Sequence, residues 1–166
     1  MLITRATTPS QPRVTALLSC QQNLMPLSWH MPISREPFRY AIAMRDENIT
    51  HQMLPKYGSF TLNFLPFSYH EKIDQAGRFH GDTVDKLKLC ELVSSTTDQN
   101  GNLIFDDSDF VYECTIIDTY QNGDHTIFIS EVTQIWVQED RPQSPTLFLG
   151  RGRYTTTMPF TQIKKP

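Results

Sequence analysis

Four short stretches carry residue types from which chemistry can be built. The first is NLMPLSWHMPIS, residues 23–34. Its prolines, Pro26 and Pro32, interrupt a sheet ladder and leave neighbouring backbone groups free. Such groups can hydrogen-bond the polar edge of a flat heterocycle, while Met25 and Trp29 offer apolar surface. The same pattern also suits a twisted edge strand with Met and Trp in the core. The second stretch is RDENIT, residues 45–50. Arg45 ends a strand and Asn48 or Thr50 opens a helix; an arginine beside a helix N-terminus can hold a phosphate, or the segment is an ordinary capped helix. The third, HGDTVDK at 80–86, supplies Lys86, which either reaches the same phosphate or sits on the surface. The fourth, Gly123-Asp124-His125, places an imidazole after a tight turn.

The elements that must position these residues are mostly strands. RVTALLSC (13–20), the proline-interrupted run 24–33, FRYAIAM (38–44) and SFTLNFL (59–65) read as strands,. Residues 48–57 read as a helix closed by Gly58. Residues 68–76 read as a second helix, with Ser68 and Glu71 as a capping box and Gly77 as its end. Residues 83–92 read as a third, and 94–102 as a polar loop. In 110–116, Phe110, Tyr112, Cys114 and Ile116 share one face. Gln121-Asn122-Gly123-Asp124 is a hairpin signal, leading into a β-branched strand over 126–137. A last strand is expected at 147–157. Hairpin connections dominate, so the expected class is mainly β with inserted helices, a closed or nearly closed antiparallel barrel rather than a doubly wound parallel sheet.

With 166 residues, the chain suits a single domain over 1–166,. Fifteen Lys and Arg against eighteen Asp and Glu, without a basic block, point away from nucleic acid,. No apolar run approaches a membrane span, and residues 1–13 have no signal-peptide core. Cys20, Cys90 and Cys114 are odd in number and far apart, as in reduced thiols of a cytoplasmic protein,. There is no GxGxxG, GxxxxGK[ST] or GxSxG, and the five histidines lack HxxxH spacing,. Asp106, Asp107 and Asp109 fall in a loop and are expected to be solvated.

Taken together, five segments make the sequence resemble the flavin reductase-like family, the FMN-binding split β-barrel proteins that include flavoredoxin. They are NLMPLSWHMPIS, RDENIT, FTLNFL, HGDTVDKLK and, most specific, GDHTIFISEV at 123–132. The resemblance runs over about 13–154. It implies a homodimer with one FMN per subunit and NADH or NADPH as hydride donor. It also implies a monooxygenase or an electron-acceptor protein as the partner of the reduced flavin, or else a non-enzymatic FMN-binding electron carrier. It sets the isoalloxazine against Asn23, Met25, Ser28, Trp29 and His30. It sets the phosphate near Arg45, Asn48, Thr50 and Lys86, and His125 near the flavin. Two departures stand out. Gln21-Gln22 replaces a glycine-containing turn, and Asp46 or Asn48 stands where many relatives have a serine in the phosphate loop; Asp46 and Glu47 would repel a phosphate unless their side chains face solvent.

Overall fold

The computed structural model describes residues 12–79, 83–139 and 144–157. Its centre is a seven-stranded antiparallel sheet. In chain order the strands are β2 (Ala16–Cys20), β3 (Asn23–Leu27), β4 (His30–Arg35), β5 (Phe38–Arg45), β6 (Ser59–Phe64), β9 (Phe110–Asn122) and β10 (His125–Val137). Across the sheet they lie in the order β3-β2-β6-β9-β10-β5-β4. The two edges, β3 and β4, are therefore consecutive in sequence and joined only by Ser28 and Trp29. Laid flat, six strand spacings would hold the edges about 29 Å apart. Three Cα steps span at most about 11 Å. The sheet must curl until its edges nearly meet, and the Ala43 amide of β5 donates to the Trp29 carbonyl at 2.9 Å, carrying the β4–β5 pairing into the link. The run 24–33 is thus two strands rather than one. Each carries its proline on an edge, where a missing N–H costs least.

Inside the barrel lie Leu18, Ile42, Met44, Phe60, Leu62, Cys114 and Phe128, with Phe110, Tyr112 and Ile116 packed against them as the alternation predicts. A second core outside it, built on Leu17, Leu24, Leu65, Ile73, Ala76 and Phe105, lies under the helical side. With both faces covered, β2 is buried at every position, which explains its unbroken apolar run.

The helices differ from expectation in instructive ways. α1 (Ile49–Tyr57) ends at Gly58 in the left-handed conformation, as predicted. α2 (His70–Arg78) follows a 3-10 turn (Phe67–Tyr69), so Ser68 lies in that turn and caps nothing. Gly77 sits inside α2 rather than ending it. A Cβ there would come within 3.1 Å of Pro26 Cγ, so the glycine lets the helix close onto β3. The third helix is one turn, α3 (Lys86–Leu89), capped by Asp85 accepting from the Lys88 amide at 3.1 Å.

The 94–102 loop contains β7 (Thr96–Thr97), paired with β8 (Leu103–Ile104). Gln21 adopts φ 53°, a glycine-like conformation, and is tied there by the Asn102 side chain and the Asn100 carbonyl. β1 (Arg13–Val14) separates from β2 and pairs with β11 (Leu147–Gly150), which turns through Arg151 and Gly152 into β12 (Arg153–Thr155). The expected last strand is therefore a hairpin, with positive φ at Gly150, Arg151 and Gly152. The three loop aspartates are not all solvated. Asp109 is buried, Asp107 accepts from the Tyr69 hydroxyl at 2.5 Å, and only Asp106, bonded to Ser95, is exposed.

Candidate functional site

The seam between β3 and β4 opens into a cleft of about 420 Å³. β3 supplies Met25, its link to β4 supplies Ser28 and Trp29, the end of β5 supplies Arg45, and the start of β10 supplies His125. His125 stacks on Trp29 with ring centroids 4.5 Å apart and planes 16° from parallel. Its Nδ1–H donates to the Asp124 carboxylate at 2.6 Å, and chiefly this bond holds the Asp124 carboxyl below its usual range. Arg13 lies over the Trp29 ring at 5.8 Å.

At one end the cleft narrows into a hollow of about 80 Å³. Met25, Asn48, Gly77 and Arg78 line both spaces. Asn23, Thr50 and Lys86 line the narrow one. Lys86 is not a surface lysine: it is 6% exposed and donates to the Leu24 carbonyl at 2.6 Å. Thr50 is buried and its hydroxyl accepts from Asn23 Nδ2 at 2.9 Å. Among the described residues Asn23 Oδ1 is buried without a partner, and an orphaned buried acceptor is costly unless a ligand donates to it. Among the described residues the side chain of Asn48, at the start of α1, makes no cap bond. Ile49 and Thr50, the first residues of α1, line the hollow together with Lys86 and Arg78.

Of the ten residues singled out in the sequence, nine line one or other of these connected spaces. Asn23 falls with the basic end rather than with Trp29. His30 is the exception. It lines an adjoining apolar hollow of about 310 Å³ with Arg13, Trp29 and Met31. Its Nε2–H donates to the Val14 carbonyl at 2.9 Å, so Nδ1 accepts from the Tyr40 hydroxyl at 2.8 Å. Both nitrogens are used, and burial holds the imidazole below its ordinary pKa. Asp46 lines neither space; its carboxylate is bonded to Thr126 and Gln121. Sequence reasoning missed Arg78, Asp74, Phe148 and Gly152. Asp74 accepts from Arg78 Nε at 2.8 Å and from the Tyr154 hydroxyl at 3.2 Å, tying α2 to β12 on the cleft wall. Gly77 was their signal, misread as a helix end.

A seven-stranded antiparallel sheet curled to a seam, with helices on one side and an aromatic-to-basic cleft along that seam, defines a split-barrel protein. Solved structures share the fold across nearly the whole chain. The FMN-binding protein of Thermus thermophilus with bound 1-cyclohex-2-enone superposes with a TM-score of 0.84 at 24% identity, covering 99% of this chain and 100% of that one. Flavoredoxin from Methanosarcina acetivorans gives 0.86 at 18%, covering 98% and 94%. An NADH:FAD oxidoreductase of Streptomyces globisporus gives 0.81 at 21%, covering 91% and 89%. The model of the flavin reductase like domain matches residues 7–157, and the chain belongs to that family.

Proposed function

We propose that this protein is an FMN-binding flavoprotein acting as an NAD(P)H:flavin oxidoreductase, working as one domain over its length and as a homodimer. The observation that carries the proposal is the graded cleft, which has a stacked Trp29–His125 pair at its broad end and Lys86, Arg78, Asn48 and the start of α1 at its narrow end. FMN has the same polarity: a flat ring, a polyol chain and a terminal phosphate. The residues present fit it. The narrow end offers cations and the start of α1 to a dianion, and a chain hydroxyl can satisfy Asn23 Oδ1.

Bound flavin would supply hydride acceptance from a nicotinamide; the protein supplies position and electrostatics. Trp29 and Met25 give the ring an apolar wall, and His125 holds an imidazole beside it. Lys86 and Arg78 hold the phosphate. No dinucleotide fold is required, because a nicotinamide can stack on a flavin face left open by the cleft. The exposed apolar side chains of β4, Met31 and Ile33, with Trp29 beside them, suit burial against a second copy,. Likeness to the oxidoreductase of Streptomyces globisporus favours the reductase reading. Likeness to flavoredoxin favours the second, an FMN electron carrier without nicotinamide activity.

Steady-state oxidation of NADH and NADPH with added FMN separates the two. Turnover is expected; a protein that binds FMN yet oxidises neither nucleotide is the carrier. Fluorescence titration should show FMN bound at least tenfold more tightly than riboflavin, about 1.4 kcal/mol. Equal affinities would remove the phosphate assignment.

A further inference from the structure

We infer that Thr126, acting with Asp46, His51 and Gln121, positions the anion-binding turn of the cleft. The inference rests on the reading of residues 45–50 as that turn. Thr126 follows His125 in β10, and successive side chains of a strand point to opposite faces. His125 faces Trp29 in the cleft, whereas Thr126 faces the turn between β5 and α1. Its Oγ1 lies 2.9 Å from Asp46 Oδ1, 2.8 Å from Gln121 Oε1 and 2.8 Å from His51 Nε2. Gln121 Nε2 donates to Asp46 Oδ2 at 2.8 Å, which fixes the orientation of that amide.

Proton counting orders the cluster. The hydroxyl brings one proton, which Asp46 Oδ1 and Gln121 Oε1, both acceptors, must share, so none is left for a third acceptor,. His51 Nε2 must therefore carry a proton and donate to Oγ1, with Asp46 Oδ1 3.4 Å away. The His51 ring is braced edge-on by Phe128, centroids 5.5 Å apart. One hydroxyl thus joins the turn, the first turn of α1 and both strands of the β9–β10 hairpin.

Backbone bonds close the turn, from the Asn48 amide to the Arg45 carbonyl at 3.2 Å and from the His51 amide to the Asn48 carbonyl at 2.9 Å, and Asn23 holds Thr50 at its far end. Its other side-chain ties are weak: among the described residues the Asn48 side chain makes no cap bond, and the Arg45–Asp124 pair is 4.0 Å long between side chains 61% and 77% exposed. The cluster has a second effect: it parks the Asp46 carboxylate away from the cleft. Released, that charge would stand one residue from Arg45 and oppose a phosphate. Thr126 is accordingly a positioning residue that acts on both the place of the turn and its net charge.

The test is FMN and riboflavin affinity, by fluorescence titration, in Thr126→Val, Thr126→Ser, Asp46→Asn and the Thr126→Val/Asp46→Asn pair. Thr126→Val should bind FMN at least tenfold more weakly and change riboflavin less than twofold. Thr126→Ser keeps the hydroxyl and should stay within about threefold of wild type for FMN. Adding Asp46→Asn to Thr126→Val should recover most of the loss, because the opposing charge is gone. Asp46→Asn alone alters only the partly exposed turn; its amide keeps the bonds if Gln121 flips, so FMN should bind no more weakly than in wild type. A parallel loss of both flavins in Thr126→Val, an unchanged FMN affinity, no recovery in the pair, or a tenfold loss in Asp46→Asn would each overturn the positioning role. Wild-type protein with no preference for FMN overturns the phosphate turn itself, and the inference with it. FMN preference intact in wild type and in Thr126→Val overturns the inference alone.

Discussion

Replacing Lys86 by methionine keeps the aliphatic stem and removes the ammonium, so it separates two roles that the structure gives one side chain. The first role is structural. The ammonium is buried and donates to the Leu24 carbonyl of β3 at 2.6 Å. Losing a charge-assisted bond and leaving its acceptor unmet should cost about 1–3 kcal/mol. In a domain of this size each kcal/mol lowers the melting temperature by about 2–4 °C, so a fall of about 2–12 °C is expected. The second role is ligand binding, since Lys86 lines the narrow end of the cleft. One charge-assisted contact to a phosphate is worth about 1.5–3 kcal/mol, or a loss of roughly 10- to 150-fold in FMN affinity. Riboflavin has no phosphate and should lose less than threefold. The assay is fluorescence titration of both flavins against Lys86→Met beside a thermal melt. A ratio of FMN to riboflavin affinity equal to that of wild type, with the melt lowered, would mean that Lys86 only braces β3 and that the basic end does not read phosphate.

Three further outcomes are expected. His125→Ala should lower the flavin midpoint potential by about 30 mV, equivalent to ~1.4 kcal/mol for two electrons, because an imidazole that offers Nε2–H to the ring while Asp124 takes Nδ1–H favours the more negative reduced form,; coincident midpoints in spectroelectrochemical titration remove His125 from the site. His30 is held neutral by burial, with a pKa below its ordinary 6.5. The unfolded chain therefore takes up a proton there that the folded one refuses, and stability should fall as pH drops below about 6.5. His30→Gln should flatten that limb of a melting-temperature series, and an unchanged slope contradicts the assignment. Burial pushes the thiols of Cys20 and Cys114 up to about 12, with Asp98 adding to the shift at Cys20 and a Ser130 bond offsetting it at Cys114. Neither should be alkylated by iodoacetamide at pH 8 in the folded protein, while both react in denaturant; mass spectrometry showing labelled Cys20 or Cys114 without unfolding would refute this.

Much of the sheet was legible because its signals are local. Alternation in 110–116 and the Gln121–Asp124 turn define the β9–β10 hairpin whatever surrounds it. Asn48, Thr50 and Lys86 line the narrow hollow and Arg45 the cleft it opens from, near where strand end, helix start and the family pattern pointed. The illegible parts are those set by tertiary approach. A glycine after a helical run signals a stop or a close contact equally well, and at Gly77 only the position of Pro26 decides. Arg78 and Asp74 then enter the cleft from a helix whose neighbour could not be known. His30 matched the family pattern, yet its two nitrogens are claimed by Val14 and Tyr40, partners invisible from spacing. Asp46 read as a liability beside a phosphate. Thr126, 80 residues away, turns it aside.

The two-residue link between the outermost strands has a kinetic meaning as well. The cleft lies along the join, so it does not exist in any partly paired sheet. Trp29 and His125 can stack once β4, β5 and β10 have paired, but every strand from β3 round to β4 must be in register before Met25 of β3 stands in the same cleft. Ligand binding therefore reports on completion of the whole ring of pairings, and folding followed by flavin capture should lag folding followed by backbone signals. Conversely, the join is where the folded ring has fewest hydrogen bonds, and a bound ligand bridging it would act as its missing rung. Moving the chain termini to the Ser28–Trp29 link by circular permutation would leave every strand pair intact and yet free the edges to part. Such a molecule should keep the β-sheet signature of the parent and lose its pocket.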